Sequence, residues 1–504
     1  MRYNALVGKP IDINIPRTNR QENPFYTNLS AVFSHEGKDM VVPGFFKNER
    51  DGYAIRFSAP EPGIWTYRIY VEGVEIGISG NLEAIASSEM EKLDIKSTAR
   101  PVFHQGDTPF FLNAYECDWL FALWMTDEVK AKELLVKIKG LNFNSIVMDI
   151  YAHECTWTDP KTPGRLVPPP LYCWDGSNEV PNHSRLNPLF FEKFDAMIEF
   201  LRSLGLYAQL YFYVYNKCVS LPKRGSQEEE MYFKQMVARY QAFPNALWIY
   251  AKETFHNPDK ENIKTLLRLI KSHDAYDHLV TIQDDKVLMN SSDCDHLIDY
   301  YMLQQHQDFA TVTSNHVLKK NRPVLNAEFG YEPGASLLDR TYTESQHIYE
   351  YINRAWEVVL SGGHTCYYYT YTAWDVIRPE DNPPGYALFK HLYEFISSVA
   401  WAEFLPEQEF LLWTPSVCMK RQGMDEYLIK TNHLGKFLMP NDCREHSFKG
   451  TWLNIYTGEQ KELTSQDYAS YVAIDPALTV FTSPFAQSKE VPHQAVLHVT
   501  MYKL

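Results

Sequence analysis

None of the eight cysteines is paired with another in a C-x-x-C spacing, and no histidine cluster accompanies them. That argues against a disulfide framework and against a structural zinc site. Positive charge is in short supply: 48 Lys and Arg stand against 63 Asp and Glu, a net charge of −15. Nucleic acid and anionic membrane surfaces are therefore poor main partners, and a neutral polar ligand fits better. No stretch approaches the ~18 consecutive apolar residues of a membrane-spanning helix. The N-terminal MRYNALVGKPIDINIP also lacks the apolar core of a signal peptide. The direct expectation is a cytoplasmic protein, although a secreted chain already trimmed of its signal peptide reads the same. Internal repeats and low-complexity tracts are missing too.

At 504 residues, with 45% hydrophobic and 22% charged side chains, the chain is long enough for several buried cores. Its pattern falls into three parts, with expected boundaries at 1–92, 93–402 and 403–504. The first has short alternating runs such as YAIRFSA (53–59) and IWTYRIYVEG (64–73), broken by Pro60, Pro62 and Gly63. That predicts a small β-sandwich. In the second, eight apolar strand-like runs alternate with amphipathic helical stretches. The runs are 110–116, 145–153, 206–215, 247–253, 279–285, 296–305, 323–332 and 364–374; the helical stretches include 127–142, 188–205, 261–274, 344–362 and 386–399. Gly140, Gly205 and Gly362 sit where those helices are expected to stop. Eight such units predict a (β/α)8 barrel. The rival, a doubly wound open sheet, usually carries a Gly-rich phosphate loop after its first strand, and FFLNAYECDW is not one. After Trp401 the helical periodicity disappears, and EFLLWTPSVCMK, EYLIKTNH and KGTWLNIYTGEQKEL predict a C-terminal β-sandwich. The fold class is thus α/β, a TIM barrel flanked by two sandwiches.

Barrels of this kind carry their chemistry at the C-terminal ends of the strands. Two acids there end otherwise apolar runs: Glu253 in LWIYAKE on strand four, and Glu328 in PVLNAEFGYE on strand seven. Burying a carboxylate is costly unless it is paired or functional. For either acid alone, an ion pair or a solvated loop position is the commoner explanation. Together, on strands that face each other across the mouth, they suit glycosidic bond cleavage, which needs one protonated and one ionised carboxyl flanking the anomeric carbon. Trp, Tyr and Phe make up 14% of the chain. Such rings stack on sugar faces in wet clefts, and equally fill barrel and sandwich cores.

RYQAFPNALWIYAKE resembles the strand-four segment of clan A glycoside hydrolases, in which an R-Y-x-x-x-P-N-x-x-W run leads to the acid/base Glu. RPVLNAEFGYE resembles their nucleophile segment. NPF (23–25), PGFF (43–46) and YAIRFSAPEPGIWTYR (53–68) resemble the DUF5060 sandwich, and FKGTWLNIYTGE (448–459) is similar to a DUF5605-type C-terminal module. The resemblance, spanning almost the whole chain, is to the apiosidase-like (DUF4038) group. It implies a retaining glycoside hydrolase acting on an oligo- or polysaccharide, with Glu253 as acid/base and Glu328 as nucleophile. The chain departs from the pattern at Lys252, where clan A enzymes usually carry an Asn that contacts the sugar 2-hydroxyl. Lys252 either stands beside the catalytic pair, where it would favour ionised Glu253 or bind a uronic acid carboxylate, or points away between strand and helix.

Supporting roles follow from position on the rim. Tyr300 or Tyr301 on strand six is expected to orient the nucleophile carboxylate, and Trp374 to form a sugar platform with Trp157 on the cleft wall. His153, His256 and His306 are candidates for hydroxyl contacts, and Asp149 and Asp284 for holding a sugar or a neighbouring Arg. No cofactor or metal is expected, a carbohydrate is the expected partner, and oligomeric state is open. Two other readings stay open: a catalytically inactive carbohydrate-binding barrel, and a barrel metalloenzyme using the rim Asp, Glu and His residues.

Overall fold

The computed structural model describes residues 2–17, 22–87, 90–159, 161–285, 294–334, 346–407, 417–472, 475, 477–485 and 493–504. Its centre is a parallel sheet that closes on itself. The strands, in order, are Asn113–Glu116, Ser145–Asp149, Tyr207–Val214, Ala246–Lys252, a split fifth strand, Tyr301–Gln304, Val324–Asn326 and His364–Tyr367. The last pairs with the first through Asn113 and Thr365. The fifth strand breaks at Ile282. Val280–Thr281 pairs with strand four, and Gln283–Asp285 with strand six. The break carries the ring across what would otherwise be a gap.

Helices form where apolar residues recur on one stripe. In Pro188–Ser203 the Asn187 side chain caps the first turn by accepting from the Leu189 N–H, and Phe190, Phe191, Phe194, Met197, Ile198 and Leu201 face inward. Burying a side chain of this size stabilises by about 1.5–3 kcal/mol. Gly205, at φ +65°, ends the helix as expected. Gly140 does not play this part: it lies within Glu128–Gly140, and the left-handed residue beyond that helix is Asn142. Another helix, Gln227–Tyr240, fills the connection from strand three to strand four.

Two buried layers hold the barrel. Inside the ring, Ala114, Val147, Tyr211, Leu247, Ile249, Tyr300, Met302 and Leu325 pack together. Phe103, on the strand Pro101–Gln105, stoppers the N-terminal end, its ring edge-on to Tyr300 at 5.2 Å. Of the barrel's two ends, the C-terminal mouth is the one with a cleft among the described residues. Around the barrel lie the expected β domains. The N-terminal one packs a five-stranded sheet against a three-stranded one, with Phe33 stacked on Phe57 across them. The C-terminal one packs six strands against three around Trp452, Phe437 and Phe481.

Candidate active site

Strand four is buried from Ala246 to Lys252 and runs in register with strand three, Val214 opposite Lys252. Alternation would send Lys252 and Glu253 to opposite faces. The backbone turns left-handed at Glu253 instead, with φ 52° and ψ 54°, a conformation that non-glycine residues seldom adopt and that is found at functional sites. Both side chains consequently line one cleft, a space of about 170 Å³ that they share with Trp157, Asn216, Lys217, Gln304, Glu328, Tyr331, Tyr368 and Trp374. Lys252 therefore does not point away between strand and helix.

Gln283 connects the two acids. Its Oε1 accepts from the Glu253 backbone N–H at 3.2 Å, and its Nε2 donates to Glu328 Oε2, also at 3.2 Å. The Tyr331 hydroxyl donates to the other oxygen, Glu328 Oε1. The Glu253 carboxyl has a different setting: His256 Nε2, on a ring about half exposed, lies 3.0 Å from its Oε2. Burial pushes the Glu253 carboxyl above the usual range, and the negative charge of Glu328 adds to the effect, while Lys217, Lys252 and His256 oppose it. Glu332, the other acid on this segment, is engaged elsewhere. It accepts from the Tyr367 hydroxyl and the Gly385 N–H, and burial lifts it to about 7.

Beneath the acids lies a fully buried charge cluster. Lys252 Nζ donates to Glu116 Oε1 at 2.5 Å, to Asp118 at 2.9 and 3.0 Å, and to the Tyr368 hydroxyl at 3.3 Å. An ammonium has three protons, and here three residues take them. Burial alone would lower the Lys252 pKa; Asp118 and Glu116 outweigh it and hold it well above its ordinary value. Lys217 Nζ sits 3.6 Å from Asp118 and over the Trp157 ring at 4.4 Å. Asp149 lies beside them. Burial, followed by the charge of Asp118, raises it well above the carboxylate range.

Against this geometry, comparison with known families is decisive. A family model described as the apiosidase-like catalytic domain matches residues 96–409, and one for DUF5060, a domain of unknown function, matches residues 9–72. The chain belongs to the apiosidase-like family. Membership makes it a glycoside hydrolase with a carbohydrate substrate. No curated protein matches the sequence. Among solved structures, a Bacteroides vulgatus ATCC 8482 protein assigned as a glycoside hydrolase is similar over 99% of this chain and 100% of its own, at TM-score 0.79 and 18% identity. A family 5 glycoside hydrolase from the same organism is similar over 81% of this chain and 92% of its own, at TM-score 0.58 and 16% identity. At such identities they speak for the fold.

Within the apiosidase-like barrel the residues singled out from sequence fall into two groups. Glu253, Glu328, Lys252, Trp374 and Trp157 line the cleft. Trp374 is nearly buried and donates from Nε1 to the Tyr368 hydroxyl at 2.5 Å, edge-on to Tyr331. The remaining candidates lie around or below it. Asp149 and Asp284 are buried at the ends of strands two and five. His153 faces Glu179 at 3.4 Å, and the His306 ring is 6.1 Å from that of Tyr331. The expectation for strand six is corrected. Tyr300 points into the barrel and donates to Gln209 at 3.3 Å, and Tyr301 donates to Asp295 at 2.6 Å; neither bonds Glu328. The residue that does is Tyr331, three positions after the acid in the same NAEFGYE segment, where the sequence offered a signal. Lys217 is a further residue that sequence reading missed. It directly follows Asn216 at the end of strand three, where a lysine amid apolar residues was the available cue.

Proposed function

We propose that the protein hydrolyses its glycoside by double displacement with retention, Glu328 acting as nucleophile and Glu253 as general acid and then base. The observation that carries this is the asymmetry of two acids sharing one cleft. Glu328 accepts two hydrogen bonds from neutral donors, an arrangement suited to an anionic oxygen. Glu253 is desolvated, lies near that anion, and is displaced toward its protonated form. In the first step a Glu328 oxygen bonds to the anomeric carbon as the glycosidic C–O bond breaks, and the Glu253 proton passes to the leaving oxygen. In the second, Glu253 takes a proton from water, the resulting hydroxide attacks the anomeric carbon, and the bond to Glu328 breaks. Lys252 supports the reaction from below, holding Glu116 and Asp118 in place, its own protons committed.

The test is turnover of a panel of aryl glycosides by the parent, Glu253→Gln and Glu328→Gln. The reading expects loss of turnover in Glu328→Gln for every leaving group. For Glu253→Gln it expects a loss of about 10²–10⁴-fold, smaller for acidic phenols that leave without protonation. Equal activity of parent and Glu328→Gln would remove Glu328 as nucleophile.

A further inference from the structure

Two ammonium groups are buried at this cleft, and they are not equivalent. Lys252 has its protons taken by Glu116, Asp118 and Tyr368. The Lys217 side chain is fully buried, its Nζ has no hydrogen-bond partner among the described residues, and its nearest anion, Asp118 at 3.6 Å, is already shared with Lys252. Trp157 covers it with a ring face at 4.4 Å, a contact that favours the charge but accepts no proton. Lys217 is fixed from its backbone: its carbonyl accepts from the His153 and Glu154 N–H groups at 3.2 and 2.9 Å, tying the loops after strands two and three together.

A buried ammonium with three unused donors costs stability until acceptors arrive. A neutral amide would serve to read a sugar hydroxyl, without placing a second cation near Lys252. An anion offsets that cost most fully, giving charge-assisted hydrogen bonds and cancelling the charge. The space available, about 170 Å³, is of single-sugar size, and the sugar that lies between Glu253 and Glu328 is the one whose anomeric carbon reacts. We infer that the glycone of this enzyme is a uronic acid, and that Lys217 Nζ binds its carboxylate at the floor of the cleft. The inference rests on the glycosidase reading above.

The experiment compares matched pairs of 4-nitrophenyl glycosides differing only at C6: glucuronide with glucoside and galacturonide with galactoside, in both anomers. The parent, Lys217→Met and Lys217→Arg are assayed, with saturation-transfer NMR of free glucuronate and galacturonate against glucose and galactose. The parent is expected to favour one uronide over its neutral partner by about tenfold or more in kcat/KM, to lose that preference in Lys217→Met, and to keep part of it in Lys217→Arg. Thermal melts confirm folding, and the charge-retaining arginine serves if the methionine variant does not fold. Neutral glycosides hydrolysed as well as uronides would overturn the inference and leave the glycosidase reading intact. With no turnover of any glycoside, uronate-selective NMR signals that vanish in Lys217→Met would still uphold the carboxylate site, while the reading above would fail. Absence of both turnover and selective binding would overturn the inference.

Discussion

Replacing Lys252 by Met removes the one cation that Glu116 and Asp118 share at hydrogen-bond distance, an ammonium that also lies over the Tyr211 and Tyr368 rings at 5.6 and 5.3 Å. Both acids are then buried with no ammonium hydrogen-bonded to them. Breaking a buried pair by deleting one partner costs about 3–5 kcal/mol, and two acids are stranded, so the upper part of that range applies near neutral pH. The loss is pH-dependent, with a definite sign. Burial already holds Glu116 above its ordinary value, with Lys252 the main opposing influence; without Lys252 it rises further, so the folded state gains on acidification and loses as pH rises. The penalty should thus be smaller at about pH 5 than at about pH 8. The assay is thermal and urea unfolding of parent and variant across pH, with Glu116→Gln and Asp118→Asn added singly and together to close the cycle. Stability should return in part when the stranded acids are neutralised. An unchanged melt at neutral pH, or a penalty that grows on acidification, would refute the account of Lys252 as a structural counter-charge.

Three further outcomes follow. Tyr331→Phe removes one of the two donors to Glu328 and should lower kcat/KM by about 10–100-fold, within the 1.5–3 kcal/mol of a hydrogen bond to a charged group, leaving the thermal melt close to the parent's; an unaffected rate would show that the hydroxyl does not serve the carboxylate. The basic limb of the kcat/KM profile should lie above an ordinary glutamate titration, because Glu253 must be protonated and burial and Glu328 raise it; in Lys252→Met it should move higher still, since an opposing ammonium is gone, and a downward move would contradict that. Arg56 links the N-terminal sandwich to the barrel through Asp12 and Asp195 at 2.7–2.8 Å and the Arg239 carbonyl at 3.0 Å. Arg56→Met should cost about 3–5 kcal/mol near neutral pH. Despite burial, Arg56 and Arg239 hold Asp195 below the carboxylate range, and Arg56 does the same for Asp12; the parent should lose this contribution only as pH falls through those depressed values, which acid titration of the melt tests.

The alternation of apolar runs with amphipathic stretches made the barrel legible, because strand and helix periodicities differ along each unit. The two acids were legible for a related reason: a charged residue that ends a buried strand stands out against its neighbours. The fate of Lys252 was not, because the argument from alternation assumes an extended backbone, and a left-handed residue at Glu253 breaks it. The tyrosines of strand six were misplaced because position on the rim does not say which way a side chain points. Tyr300 faces into the barrel and Tyr301 outward, so the donor to Glu328 comes from Tyr331 on the loop beyond strand seven. Loops carry function and are where local patterns inform least. Lys217 was overlooked for the converse reason: a lysine in a loop is ordinarily solvated, and only the three-dimensional cover of Trp157 and Trp119 makes it a buried charge.

The most direct measurement of the central claim is the anomeric configuration of the sugar first released, followed by proton NMR during the opening minutes of hydrolysis before mutarotation. Double displacement through Glu328 predicts that the product appears with the substrate's own configuration. First appearance of the opposite anomer would mean that water attacks directly, and Glu328 could not then be the nucleophile.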